Sequence, residues 1–89
     1  LNYYMEKDFE HFLKSDQNKQ IKMLYLEGTF VVSIRYYGYK VNLYLLFDQY
    51  VEVFYNHKLD HVERISQLDY GHSRMKFYAD QISITSIAS

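Results

Sequence analysis

The sequence predicts a single α+β domain: one or two N-terminal helices, a four-stranded antiparallel β-meander, and a short C-terminal helix packed on one sheet face. Three observations support this prediction. The apolar spacing is helical before Gly28, has a period of two from Thr29, and becomes helical again after Ser73. The connections between the strands are too short for crossovers. Finally, 89 residues suffice for one hydrophobic core only, so residues 1–89 are expected to form one domain.

The first helix is predicted over residues 4–15. Its apolar residues recur at i, i+4, i+7 and i+8, and charged residues occupy most of the other positions. The apolar stripe consists of Met5, Phe9, Phe12 and Leu13. This pattern is typical of an amphipathic helix that turns one face toward a core.

The second segment, residues 17–27, has two interpretations. As a helix it has N-cap candidates between Ser15 and Asn18, and Gly28 follows as a residue expected to adopt the left-handed conformation. Its apolar face would then contain Ile21, Leu24 and Tyr25. Every second residue from Ile21 is also apolar, so the sequence leaves open whether residues 21–27 are helix or strand.

Four strands are predicted after Gly28, because β-branched and aromatic residues dominate and alternate with polar ones. Residues 37–39 form the first turn, residues 48–49 the second, and residues 56–60 the last hairpin loop. In the first strand one face would carry Phe30, Val32, Ile34 and Tyr36. The fourth strand, residues 61–68, alternates imperfectly, which is typical of an edge strand or a bulge.

The C-terminal third predicts a short helix with Ser73 as its N-cap, because apolar residues recur at helical spacing after it. The repeated residues are Met75, Tyr78, Ala79 and Ile82. We expect this helix to cover the same sheet face as the N-terminal helix. The uncharged tail, residues 82–89, is β-prone and is expected to dock on a sheet edge.

Composition argues against several classes of protein. The chain has no cysteine, so it predicts neither disulfides nor thiolate zinc sites. Ten basic and eleven acidic residues are interspersed, which gives a net charge of −1 and no basic block for nucleic acid. No apolar run approaches the roughly 20 residues of a membrane helix, and the first residues lack a signal-peptide pattern. The expected location is cytoplasmic.

No metal site is predicted. His57 and His61 are four residues apart, but they fall in a hairpin loop and the following strand, where that spacing does not bring two imidazoles together. We treat them as solvated histidines, and we expect the protein to need no cofactor.

No catalytic motif occurs in the sequence, and we expect the protein not to be an enzyme. The one candidate pair of carboxylates for acid–base chemistry is Glu52 and Glu63, which are expected on one sheet face. Arg35 and Arg64 are expected on the same face, so surface ion pairs between the strands explain these residues equally simply.

The 17 tyrosines and phenylalanines make up 19% of the chain, and many crowd into the first three strands. Tyrosine is enriched at protein interfaces because its ring contributes a large contact area at a low entropy cost. The sequence therefore predicts a protein-binding face on the exposed side of the sheet. Its residues would be Arg35, Tyr37, Tyr39, Tyr44, Tyr50, Glu52 and Arg64. An ordinary solvated sheet face without a partner is an equally weighted interpretation.

Two other functions use the same face. An RNA- or ribonucleoprotein-binding domain would stack bases on a platform of aromatic and basic residues, although the chain lacks a net basic field. That platform would contain Arg35, Tyr37, Tyr39, Lys40 and Tyr44. A structural homodimer would cover the face with a second copy. In size, composition and lack of catalytic motifs the chain is similar to small inhibitors encoded by phages and mobile elements, which act by occupying a partner's surface.

Overall fold

A computed structural model describes the backbone of residues 6–88 and the side chains of residues 6–81. Its elements are α1 (Glu6–Lys14), α2 (Gln17–Glu27), β1 (Thr29–Tyr36), β2 (Tyr39–Leu46), β3 (Gln49–Asn56), β4 (His61–Gln67) and α3 (Met75–Ala88). The strands form one antiparallel sheet in the order β1-β2-β3-β4. The predicted α+β fold and its β-meander are confirmed.

The segment between α1 and β1 is a helix, which decides between the two interpretations of residues 21–27. Asp16 is its N-cap and accepts a 2.9 Å hydrogen bond from the backbone N–H of Lys19. The carbonyl of Phe12 accepts hydrogen bonds from the backbone N–H of Ser15 and from the side-chain amide of Gln20, which joins α1 to α2. The part of the first predicted helix before Glu6 lies outside the described residues.

Gly28 does not adopt the predicted left-handed conformation, because the chain passes directly from α2 into β1 and is extended here, with φ −81° and ψ 156°. Its backbone N–H still donates to the carbonyl oxygen of Leu24, at 2.9 Å. A Cβ atom at this position would lie 2.6 Å from that same oxygen. Glycine is therefore required here by close contact with the backbone and not by its φ angle.

Replacing Gly28 by alanine should lower the free energy of unfolding by about 1–3 kcal/mol, because the added methyl group forces α2 and β1 apart. Urea denaturation followed by circular dichroism would measure the loss. Gly38→Ala is the control, since no atom lies within 4 Å of the added Cβ. Equal stability of the two variants would show that the contact is relieved at no cost.

Helices cover both faces of the sheet, so the prediction that α3 shares a face with the N-terminal helix is wrong. We call the two sides the α1–α2 face and the α3 face. The buried residues on the α1–α2 face are Phe9, Phe12, Leu24, Leu46, Val51 and Val53. Those on the α3 face are Ile34, Val41, Leu43, Phe54, Leu68 and Tyr78. Because β3 buries the consecutive residues 51–54, both faces need a cover.

Two irregularities in the strand register alter which side chains share a face. In β1, Phe30 pairs with Tyr44, but Val32 already pairs with Leu43, so Val31 is an extra residue. Phe30 therefore lies on the α1–α2 face, and the prediction that it shares a face with Val32 is wrong. The register of β4 also shifts, at Glu63, which confirms the irregularity predicted for this edge strand.

The start and end of α3 differ from the prediction. The backbone N–H of Arg74 is capped by the imidazole Nδ1 of His72, at 3.0 Å, and the predicted cap was Ser73. The helix continues to Ala88, so the predicted edge strand in the tail is wrong up to that residue, while Ser89 lies outside the described residues. Extending an existing helix adds one backbone hydrogen bond per residue, which favours helix over a newly started strand.

Candidate functional site

The seven residues predicted to form one binding face are divided between the two faces and a turn. Arg35 and Tyr44 lie on the α1–α2 face, where cross-strand partners place them. Tyr37 occupies the β1–β2 turn with φ 49° and a largely exposed ring. The remaining four lie on the α3 face: Tyr39, Tyr50, Glu52 and Arg64. The prediction of one continuous face is therefore wrong, because side chains alternate along a strand and Tyr39 and Tyr44, five residues apart in β2, point to opposite faces.

Glu52 is completely buried, so its predicted place on a solvated surface is wrong. Its two carboxylate oxygens accept hydrogen bonds from Nε and Nη2 of Arg74, at 3.0 and 2.8 Å. The hydroxyl of Tyr78 donates a third hydrogen bond, at 2.8 Å. This buried network joins the centre of the sheet to the start of α3. It leaves Glu52 neither close to Arg35 nor available as an acid–base partner of Glu63.

The surroundings of Arg74 complete the buried network. Its guanidinium lies 5.0 Å from the ring centroid of Phe54 and 5.4 Å from that of Tyr36, within the range of cation–π interactions. The hydrogen bond to Glu52 raises the pKa of Arg74, and burial together with the same carboxylate raises the pKa of Tyr78. Arg74 is thus held charged and Tyr78 protonated, as their hydrogen bonds to Glu52 require. Every described buried polar side-chain atom has a hydrogen-bond partner. This network docks the start of α3 onto the sheet.

Two more tyrosine hydroxyls donate to carboxylates near the hairpin ends. Tyr39 bonds Glu63 at 2.6 Å, and Tyr55 bonds Asp60. These hydrogen bonds raise the pKa of both tyrosines, and the bond from Tyr39 lowers the pKa of Glu63. Glu63 also accepts a hydrogen bond from the side-chain amide of Asn56, at 2.8 Å. The two acidic groups are therefore occupied within the domain.

A groove of about 360 Å³ lies between α2 and the uncovered part of the α1–α2 face. Its main side chains, which define what we call the aromatic groove, are Ile21, Tyr25, Phe30, Tyr44, Tyr55 and Val62. Tyr25 is 85% exposed and Phe30 is 54% exposed, which is unusual for rings of this size. The Phe30 ring packs edge-on against that of Tyr44, with centroids 5.7 Å apart.

The fold positions the groove through two local features. Helix α2 carries Ile21 and Tyr25 one turn apart, so both side chains lie on the helix face that lines the groove. The bulge at Val31 turns Phe30 onto the α1–α2 face, where it meets Tyr44. Ile21, Tyr25 and Phe30 were not among the site residues predicted from the sequence. The i, i+4 pair on α2 was a usable signal, whereas nothing in the sequence indicated the bulge.

The described residues contain neither a metal-binding cluster nor a membrane-spanning helix. Among the described side chains, no group of three or more histidines, aspartates or glutamates is arranged to hold a metal ion. None of the described helices combines the length and the apolar character needed to cross a bilayer. No protein-family model, curated protein or solved structure matches the chain. The site's own geometry must therefore carry the functional conclusion.

Proposed function

We propose that the protein is a non-catalytic binding domain that holds apolar side chains of a protein partner in the aromatic groove. One observation carries the proposal: the exposed rings of Tyr25 and Phe30 line the same groove, among mainly apolar and aromatic side chains. Aromatic side chains around a pocket are the usual centres of binding energy in protein interfaces. A protein of this kind acts by occupying its partner's surface, as do the small phage inhibitors of similar composition.

The groove's rings are already held in place, which favours binding because little side-chain entropy is lost. Tyr44 is half-buried against Phe30, and the hydroxyl of Tyr55 is bonded to Asp60. Tyr25 stands on a helix that is capped at both ends, by Asp16 and by the N–H of Gly28. Contacts within the domain therefore hold Tyr44 and Tyr55, while the ring of Tyr25 is the most exposed in the groove.

The alternative functions fit this geometry less well. An RNA platform of the predicted residues is not assembled, because Tyr39 lies on the opposite face from Arg35 and Tyr44 and is bonded to Glu63. A homodimer would use the groove without a foreign partner, and it makes a different prediction about the oligomeric state of the pure protein.

Selection from a displayed library of random peptides is expected to yield peptides that bind the groove. Tyr25→Ala and Phe30→Ala should each weaken the affinity of a selected peptide about tenfold, because each removes a ring from the walls. Fluorescence anisotropy with the labelled synthetic peptide measures the affinity, and urea denaturation confirms that both variants keep their stability.

Tyr70→Ala is the matched control, because Tyr70 is 63% exposed but lies on the α3 face beside Met75. It should bind the selected peptides as the wild type does. Peptides that bind all three variants equally would place binding elsewhere. Light scattering on the pure protein should show a monomer, and a dimer that Tyr25→Ala dissociates would assign the groove to a second copy instead.

A further inference from the structure

We infer that the partner segment is acidic, and that its carboxylates bind Arg35 and Lys40 beside the aromatic groove while its apolar residue occupies the groove. This inference rests on the proposed function and adds the partner's chemistry and orientation. The carboxylates would point toward the β1–β2 turn, and the apolar anchor would point toward the C-terminal end of α2.

Arg35 and Lys40 form a cationic pair in the sheet. They are direct cross-strand partners on the α1–α2 face, and both are exposed. Two like charges in this position repel each other and destabilise the pairing of β1 with β2. The pair also adjoins the groove, because Lys40 is the cross-strand partner of the groove residue Tyr55. The molecule therefore maintains an unfavourable pair of charges at one end of its apolar groove.

Within residues 6–81, whose side chains the structure describes, neither Arg35 nor Lys40 forms an ion pair. The carboxylate of Asp60 accepts a hydrogen bond from the hydroxyl of Tyr55, the cross-strand partner of Lys40. Asp80 is the one acidic residue that lines the described part of the cleft, of about 520 Å³, that Arg35 and Lys40 also line. Two cations against one carboxylate leave this lining positive, in a chain whose net charge is −1.

An acidic protein segment fits this surface better than a nucleic acid does. The groove next to the cations is lined mainly by apolar and aromatic side chains, which suit an apolar residue of a partner chain. Two adjacent cations supply too little positive field for strong binding of a phosphate backbone by counterion release. They do suffice to select carboxylates and to orient a bound segment.

The peptide selection tests the inference. Selected peptides should carry Asp or Glu next to an apolar residue. The double variant Arg35→Glu, Lys40→Glu should bind them at least about tenfold more weakly, and wild-type affinity should fall as salt increases. Lys7→Glu, Lys14→Glu makes the same change in net charge on exposed positions of α1 and should change affinity less than about twofold.

The outcomes separate the inference from the proposed function. Peptides without acidic residues, or equal binding by the charge-reversed variant, would overturn the inference while Tyr25→Ala still weakens binding. Peptides insensitive to Tyr25→Ala would overturn both. A labelled single-stranded RNA that binds more tightly than any selected peptide, and is released by Arg35→Glu, Lys40→Glu, would assign the cations to nucleic acid and also overturn the inference.

Discussion

Replacing Glu52 by glutamine should lower the free energy of unfolding by about 3–5 kcal/mol, because it leaves the buried guanidinium of Arg74 without a carboxylate. Arg74 keeps only 6% of its surface exposed, so water cannot replace the lost partner. A domain of 89 residues has a stability on the order of 5–10 kcal/mol. Glu52→Gln should therefore remove a large share of the free energy of unfolding.

Urea denaturation of three variants would isolate the cause. Glu63→Gln is the matched control, since its carboxylate accepts a hydrogen bond from Tyr39 on the exposed edge, and it should destabilise the protein far less than Glu52→Gln. The triple variant Glu52→Leu, Arg74→Met, Tyr78→Phe removes every polar member of the network together and should recover most of the loss. Equal effects of Glu52→Gln and Glu63→Gln would contradict the role of the buried network.

The location of this network has a consequence for function. Glu52 and the aromatic groove lie on opposite faces of the sheet, so the residues that dock α3 are separate from the residues proposed to bind a partner. Under conditions in which the Glu52→Gln variant is folded, it should bind a groove peptide with wild-type affinity. We therefore expect mutations of the buried network to change stability and leave binding at the groove unchanged.

The elements of the fold were predictable because their signals are local. The apolar stripe of α1 contains Phe9 and Phe12, and both are buried in the core of the α1–α2 face. The turn residues and the change of period at Gly28 marked the hairpins to within one residue, the second turn being residues 47–48 and not 48–49. Amphipathic spacing and turn composition reflect interactions within a few residues of chain, which one sequence contains in full.

The faces of the sheet were not predictable, because they depend on distant contacts. Glu52 stands between two valines and has the pattern of a solvent-facing residue, yet Arg74, 22 residues later, provides the partner that allows its burial. The extra residue at Val31 reverses the side of Phe30 without a glycine or proline to indicate it. The division of the predicted binding face, by contrast, follows from the alternation of side chains: Tyr39 and Tyr44 lie five residues apart in β2 and therefore point to opposite faces.

Replacing Phe12 by alanine should cost about 3–5 kcal/mol, because its ring is completely buried among α1, α2 and the sheet. The ring packs against Phe9 with centroids 5.7 Å apart, so its removal leaves a cavity that the neighbouring helix cannot fill without shifting. Phe12→Leu should cost less and provides a measurable variant if Phe12→Ala fails to fold. Leu13→Ala, at a position 44% exposed, is the control and should change stability by less than about 1 kcal/mol.

The Phe12 variants should also weaken binding at a distance, unlike Glu52→Gln. The Phe12 carbonyl accepts the side-chain hydrogen bond of Gln20, and its ring lies in the same cluster as Leu24, so loss of the ring loosens α2, which forms one wall of the groove. Faster amide hydrogen exchange along α2 and reduced affinity for a groove peptide should therefore accompany Phe12→Leu. If Phe12→Leu weakened peptide binding without changing amide hydrogen exchange along α2, the loss of affinity would not come from a loosened α2.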